Sequence, residues 1–128
     1  MKLKLFISKM SLIVLVLFVM AGCSEQAPAG VDPMDVEAKL DTNPDIVMAG
    51  EQVEMTTSFT GADFTETAEV QFDIRVDGKV KLVEAAYTGN GQFTGSFTFP
   101  KKGIYDVYIH LYEDELHVTK KKLLEVKE

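Results

Sequence analysis

Apolar and polar residues alternate with a period of two from Pro33 to the carboxyl terminus, and turn residues interrupt this alternation every eight to twelve residues. The pattern is typical of short, half-buried strands, because successive side chains on a strand point to opposite faces. An amphipathic helix needs apolar residues three and four positions apart, and no convincing segment of this kind occurs after Pro33. The pattern therefore predicts an all-β domain rather than strands that alternate with helices.

The dipeptide Asp77-Gly78 is the strongest turn signal in this region, because both positions of a two-residue hairpin turn require positive φ. A two-residue loop there pairs Phe72 with Val83. In the same register Val70 pairs with Ala85, so that apolar residues oppose each other on one face. The dipeptide thus predicts both a hairpin and its register.

Seven strands are expected in the domain. They cover residues 36–40, 53–59, 70–76, 83–85, 93–99, 105–111 and 116–126. Without a core tryptophan or a disulfide, this number of strands predicts an immunoglobulin-like or fibronectin-like β-sandwich, with Tyr105 as a candidate corner residue. An open barrel is the alternative. The three lysines at 120–122 predict charged residues that protect a sheet edge, and a binding patch is the alternative.

The first 22 residues have the order of a secretory signal peptide. Lys2, Lys4 and Lys9 form a basic leader, and residues 12–21 are an uninterrupted apolar run. Ten helical residues at about 1.5 Å each span about 15 Å, half of the roughly 30 Å hydrocarbon core of a bilayer. A signal peptide over residues 1–22 is therefore favoured over a permanent membrane helix.

The segment Met20-Ala21-Gly22-Cys23 resembles a bacterial lipobox, in which small residues precede a cysteine that receives diacylglycerol. Met20 stands where leucine is usual. Cys23 is the only cysteine, so no disulfide can form, and we expect it to carry lipid that anchors the chain to the membrane. The alternative is a buried or free cysteine. Residues 23–33 include small residues and two prolines and have almost nothing to bury, so they predict a flexible tether before a domain at 34–128.

The expected mature chain is strongly acidic, because ten basic residues accompany 20 acidic ones and give a net charge of −10. Such a domain is repelled by phosphates, which disfavours nucleic-acid binding and electrostatic docking to anionic lipids. The sequence has no nucleophile elbow, no glycine-rich phosphate loop and no second cysteine. It therefore predicts a non-enzymatic, lipid-anchored protein on the outer face of the cell membrane.

His110 and His117 are the only histidines, and the segment between them predicts where they face. Symmetric pairing about Glu113-Asp114 puts His110 directly opposite His117, with both side chains pointing away from the core. Opposed residues have Cβ atoms about 4.5–5.5 Å apart, so two imidazoles can share one Cu²⁺ or Zn²⁺ ion. Glu115 is a further candidate ligand. The alternative is that two exposed histidines merely lie on a solvated strand pair.

Methionine thioethers are ligands for copper(I). Met34 and Met48 are candidates because both lie near strand ends, whereas Met55 alternates with core residues. For all three side chains, packing is the favoured interpretation over metal ligation.

Several short motifs of the domain occur in a combination that resembles a known family. They are Asn43-Pro44, Ala49-Gly50-Glu51, Phe99-Pro100 followed by Gly103 and Tyr105, and His110 with Leu116-His117-Val118 and its lysines. The combination is similar to the YtkA-like family of small bacterial lipoproteins, which is related to FixH proteins. The resemblance covers residues 36–128 and implies an immunoglobulin-like fold outside the membrane.

This resemblance also implies a function in copper supply to respiratory oxidases, or in their assembly. His110 and His117 match the histidine positions of the family. A methionine that often follows the second histidine is replaced here by Thr119 and three lysines, which weighs against a thioether-assisted copper(I) site.

Two hypotheses follow. In the first, the chain binds copper and passes it to an envelope protein such as an oxidase assembly component. In the second, it is a metal-independent interaction or structural module of the cell envelope.

Overall fold

The structure, a computed structural model, describes residues 30–128. The predicted signal peptide at 1–22, the predicted lipidation site Cys23 and most of the tether at 23–33 lie outside the described residues. Within residues 30–128, no helix is long and apolar enough to cross a membrane.

The described part of the chain contains one 3-10 helix and eight strands. These are the helix Pro33–Asp35 and the strands β1 (Glu37–Asn43), β2 (Val47–Met48), β3 (Gln52–Thr60), β4 (Glu69–Val76), β5 (Lys79–Gly89), β6 (Gln92–Thr98), β7 (Gly103–Glu113) and β8 (Leu116–Lys127). The prediction of an all-β domain is confirmed. The strand that the alternation did not predict is β2, which lies parallel to the end of β8 through the pair Val47 and Val126.

The strands form a two-layered β-sandwich, and β5 connects the two layers. Their order is β1-β3-β6-β5-β4-β7-β8-β2. The first part of β5 pairs with β4, and its last residues pair with β6. A register shift between Tyr87 and Gly89 accompanies this crossing, as bulges bend a strand and increase its twist. The layers β1-β3-β6 and β4-β7-β8 therefore enclose the core.

Inward-facing residues of both layers make one apolar core. Its largest fully buried side chains are Phe72, Phe93, Phe99, Met55, Ile74, Ile109 and Leu111. Complete burial of a side chain of this size stabilises a fold by about 1.5–3 kcal/mol. Met55 is buried, so its predicted packing role is confirmed.

The predicted β4–β5 hairpin is confirmed in detail. Phe72 pairs with Val83 and Val70 with Ala85. The turn Asp77-Gly78 has φ of 50° and 76°, as the two-residue loop requires.

Tyr105 makes the predicted corner contact at the start of β7. Its hydroxyl donates a hydrogen bond of 2.5 Å to the backbone carbonyl of Lys101. A tyrosine that bonds to the backbone a few residues upstream is a hallmark of immunoglobulin-like sandwiches. This contact fixes how the chain enters β7.

The lysines at 120–122 lie on the part of β8 that pairs with β7 on one side only, because β2 reaches no further than Val126 and Lys127. The prediction of charged residues on a sheet edge is therefore confirmed. Lys120 is 3.6 Å from the carboxylate of Glu37 on β1, and this ion pair lies where the two edges of the sandwich approach each other.

Candidate functional site

The β7–β8 hairpin closes through a two-residue turn at Asp114-Glu115. Glu113 pairs with Leu116, and Asp114 has φ of 51°, a conformation that aspartate tolerates better than most residues. The hairpin register follows from this turn. His110 lies opposite Thr119, and His117 lies opposite Tyr112.

The prediction that His110 and His117 are directly opposite each other is therefore wrong. It assumed a turn centred on Glu113-Asp114, whereas the positive φ of the first turn position falls on Asp114. The two histidines are diagonal neighbours across the strand pair instead, a relationship that still allows long side chains to touch.

Both histidines face away from the core, as predicted. They belong to the outer face, by which we mean the side of the β4-β7-β8 layer that faces solvent. Its residues include Asp73, Arg75, Tyr108, His110, Tyr112, His117, Thr119 and Lys121. The alternating residues Ile109, Leu111 and Val118 are buried. The side chain of His110 is 19% exposed, and that of His117 lies open to solvent.

The two imidazole rings are 5.8 Å apart between centres and tilted by 37°. Their nitrogens converge on one point, because Oγ1 of Thr119 is 3.0 Å from His110 Nδ1 and 3.3 Å from His117 Nε2. A metal ion bound about 2.0–2.1 Å from an imidazole nitrogen lies roughly 3 Å from the ring centre. Two rings at this separation can therefore reach one ion.

Tyr112 orients His117 by stacking against it. The ring centres are 4.3 Å apart with an angle of 23° between the planes. The ring of Tyr112 also lies nearly parallel to His110, at 6.2 Å. The three rings thus form one aromatic group on the outer face.

Asp73 on β4 completes the surroundings of His110. The guanidinium of Arg75 donates hydrogen bonds of 2.8 Å and 2.9 Å to its two carboxylate oxygens, and His110 Nε2 lies 3.5 Å from Oδ2. The bond from Arg75 lowers the pKa of Asp73, and the bond from His110 lowers it further, whereas burial acts in the opposite direction. The carboxyl is therefore ionised at neutral pH.

Sequence reasoning missed Asp73 because its outward position predicts a solvated side chain. The residue is only 5% exposed. The available signal was Arg75 two positions later, since residues i and i+2 of a strand share a face.

The remaining candidate ligands do not join the histidines. Glu115 occupies the second position of the turn, and residues 30–128 contain no group of three or more His, Cys, Asp or Glu side chains that could hold a metal ion. Met48 pairs with Lys127 at the far end of β8 from His117. Met34 is 81% exposed in the 3-10 helix, so the packing role favoured for it is wrong.

Comparisons with known proteins do not assign the chain to a family. No family model matches it, and no curated protein matches it. The chemistry of the site therefore has to be argued from its geometry. Two convergent imidazoles on a rigid strand pair can bind a transition-metal ion and leave its remaining coordination positions open.

Proposed function

We propose that this chain is a lipid-anchored extracytoplasmic protein whose β-sandwich binds one Cu²⁺ ion between His110 and His117. The observation that carries the proposal is the convergence of the two imidazole nitrogens on the hydroxyl of Thr119, at 3.0 Å and 3.3 Å. Movement of this one hydroxyl opens a position that both nitrogens can reach.

Copper is the metal that the donor set favours. Imidazole suits divalent copper, and a given site generally binds Cu²⁺ more strongly than the other divalent first-row metals. The acidic composition adds a general attraction for cations. Supply of copper to a respiratory oxidase, or to a protein that assembles one, fits the resemblance to YtkA-like proteins.

The open coordination positions suit a protein that passes its ion on. Two protein ligands leave positions for water or for ligands of an incoming partner, whereas a closed structural site uses four. His117 is exposed, so a partner can approach the ion from solvent. Lipid on Cys23 would keep this exchange at the outer face of the membrane.

Titration of the purified full-length chain with Cu²⁺ in detergent micelles tests the proposal. We expect one ion per chain, nitrogen hyperfine coupling in the electron paramagnetic resonance spectrum, and weaker binding in acid because protonated imidazole is not a ligand. The double variant His110→Ala, His117→Ala should lose the site. Lys121→Ala, on the same face, should keep it. Equal affinity in the double variant would refute the proposal.

A second candidate function is metal-independent binding of another envelope protein through the outer face. Three aliphatic side chains on β8 and on the first part of β5, which pairs with β4, are exposed: Val80 by 48%, Leu82 by 60% and Leu123 by 66%. Val80 lies beside Arg75 and Leu82 beside Asp73, so these apolar groups adjoin the charged part of the face. Exposed apolar residues next to polar ones are common at protein interfaces.

A photo-crosslinking residue at position 82 separates the two candidates in intact membranes. For the interaction module, one partner should be captured equally with and without a copper chelator. For the copper-binding protein, capture should require His110 and His117.

A further inference from the structure

Four polar side chains form a continuous line across three strands of the outer face. Asp73 on β4 lies 3.5 Å from Nε2 of His110 on β7. Nδ1 of the same ring lies 3.0 Å from Oγ1 of Thr119 on β8, and this oxygen lies 3.3 Å from Nε2 of His117. Each of these distances joins one group to the next along the line.

The hydrogen bonds of Asp73 determine which atom donates and which accepts at its end of the line. Arg75 has donors only, and it bonds to both carboxylate oxygens of Asp73, so the carboxylate is an acceptor throughout. The proton between Asp73 and His110 must therefore be on Nε2 of His110. A neutral imidazole has a single N–H, so Nδ1 is left as an acceptor.

Thr119 extends this order of donors and acceptors to the second histidine. A hydroxyl has one proton and two lone pairs. If Thr119 donates its proton to Nδ1 of His110, it can only accept from Nε2 of His117. The neutral form of His117 then has its proton on Nε2, although this ring does not contact Asp73.

We infer that Asp73 is a positioning residue that sets the tautomers of both His110 and His117 through Thr119. Every hydrogen bond of the line then has the same donor order: His117 donates to Thr119, Thr119 donates to His110, and His110 donates to Asp73. Nδ1 of His110 therefore presents a lone pair toward Oγ1 of Thr119.

This arrangement has a consequence that rests on the proposed function. Nδ1 of His110 then has a free lone pair and can bind copper directly, whereas Nε2 of His117 can bind the ion only after its proton has moved to Nδ1 of the same ring. Asp73 is the carboxylate that orients His110 from the side opposite the ion. Loss of such a partner weakens metal binding by about 10–100-fold in metalloproteins.

The substitution Asp73→Asn should reverse the whole line. The shorter of the two bonds from Arg75 ends on Oδ1, so we expect the amide oxygen of Asn at that position, with its NH₂ group in place of Oδ2, facing His110 and without the second bond from Arg75. Nε2 of His110 then has to accept, and its proton moves to Nδ1. That N–H donates to Thr119, which now donates to His117, so the proton of His117 also moves to Nδ1.

Long-range ¹H–¹⁵N correlation spectra of the metal-free full chain in micelles test the inference at a pH where both rings are neutral. We expect both histidines with the proton on Nε2 in the wild type and on Nδ1 in Asp73→Asn. Asp106→Asn makes the same change on the same face, where Asp106 pairs with Lys121, and should leave both tautomers unchanged. In Asp73→Asn with Thr119→Val, His110 should reverse while His117 has no single tautomer, as in Thr119→Val alone.

A wild-type His110 with its proton on Nδ1 would overturn the inference, as would a folded Asp73→Asn variant in which His110 reverses and His117 does not. If Asp73→Asn does not fold, or leaves His110 unchanged, Thr119→Val decides: His110 should keep its proton on Nε2 while His117 loses its single tautomer, and an unchanged His117 overturns the inference. These spectra contain no metal. Their outcome is therefore independent of the copper titration.

Discussion

Tyr112 and His117 are cross-strand partners whose rings stack with centres 4.3 Å apart. Aromatic cross-strand pairs contribute about 0.5–1 kcal/mol. This stacking stabilises the hairpin and also restricts the ring orientations that His117 can adopt. It therefore links the stability of the β7–β8 hairpin to the geometry of the candidate site.

Tyr112→Ala should weaken Cu²⁺ binding by about two- to fivefold, which is the affinity change that corresponds to the energy of the lost stack. Calorimetric titration measures this change. Tyr112→Phe keeps an aromatic ring opposite His117 and should bind copper as the wild type does. An equal loss in both variants would show that the hydroxyl, and not the stack, matters.

Asp73→Asn should destabilise the fold at neutral pH by about 1 kcal/mol, because hydrogen bonds to a charged group are lost. Since the folded-state pKa of Asp73 is lowered, its contribution is fully present above the unfolded pKa of about 3.9 and is lost as the pH falls through the folded pKa. Urea unfolding should therefore show a smaller difference from wild type at pH 3 than at pH 7.

The control for this pH dependence is Asp106→Asn. Asp106 forms an exposed ion pair of 3.2 Å with Lys121, and exposed pairs contribute about 0–1 kcal/mol. A small effect at both pH values is expected. A difference for Asp73→Asn that does not change with pH would contradict the assigned ionisation.

Thr57→Val should stabilise the protein by about 1 kcal/mol. Thr57 on β3 is fully buried, and its hydroxyl has no hydrogen-bond partner among the residues that the structure describes. Valine has nearly the same shape and removes the buried polar group, whose desolvation costs about 1–3 kcal/mol. Thermal unfolding measures the gain.

The neighbouring residue provides the control for Thr57→Val. The hydroxyl of Thr56 lies 2.9 Å from that of Thr94, so Thr56→Val should give no gain. Equal stabilisation by the two substitutions would indicate a strand-propensity effect and not removal of an unsatisfied group.

Gly61→Ala should cost about 2 kcal/mol more than Gly89→Ala in unfolding free energy. The two glycines have similar φ, 93° and 99°. Residues with a side chain rarely adopt this backbone conformation, so alanine is unfavourable at both positions. A Cβ on Gly61 would also overlap the backbone carbonyl oxygen of Asp35, whereas a Cβ on Gly89 would meet open space. Overpacking of this kind costs about 1–3 kcal/mol. If both substitutions lower the unfolding free energy equally in chemical denaturation, overlap with the Asp35 carbonyl is not the cause of the loss at position 61.

Turn chemistry explains which registers could be predicted from the sequence. Asp77-Gly78 marks one hairpin without ambiguity, because both residues accept positive φ. The segment between the two histidines contains no glycine, and the choice of Asp114 as the first turn position depends on the pairing of the whole hairpin. The resulting error is two residues. Because an even shift keeps every side chain on its face, the outward direction of both histidines was still predicted correctly.

The remaining features depend on contacts between distant parts of the chain. Asp73 is buried by neighbours on the outer face, and alternation along β4 alone assigns it to solvent. The strand β2 exists through two residue pairs with β8, too few for a sequence pattern. The crossing of β5 between layers lies beside the register shift between Tyr87 and Gly89, whereas the turn signal Asn90-Gly91 that follows indicates only the β5–β6 hairpin.

The entry point of the described chain and the β7–β8 turn lie at the same end of the sandwich. Glu37 begins β1 opposite Thr60, and the loop that follows Thr60 is joined to the hairpin by a bond of 2.6 Å from Thr67 to Glu113. The lipid proposed on Cys23, 13 residues before Val36, would attach the chain to the membrane through this end of the domain. The imidazoles would then lie near the end at which the proposed tether joins the domain, within reach of a recipient in the same membrane.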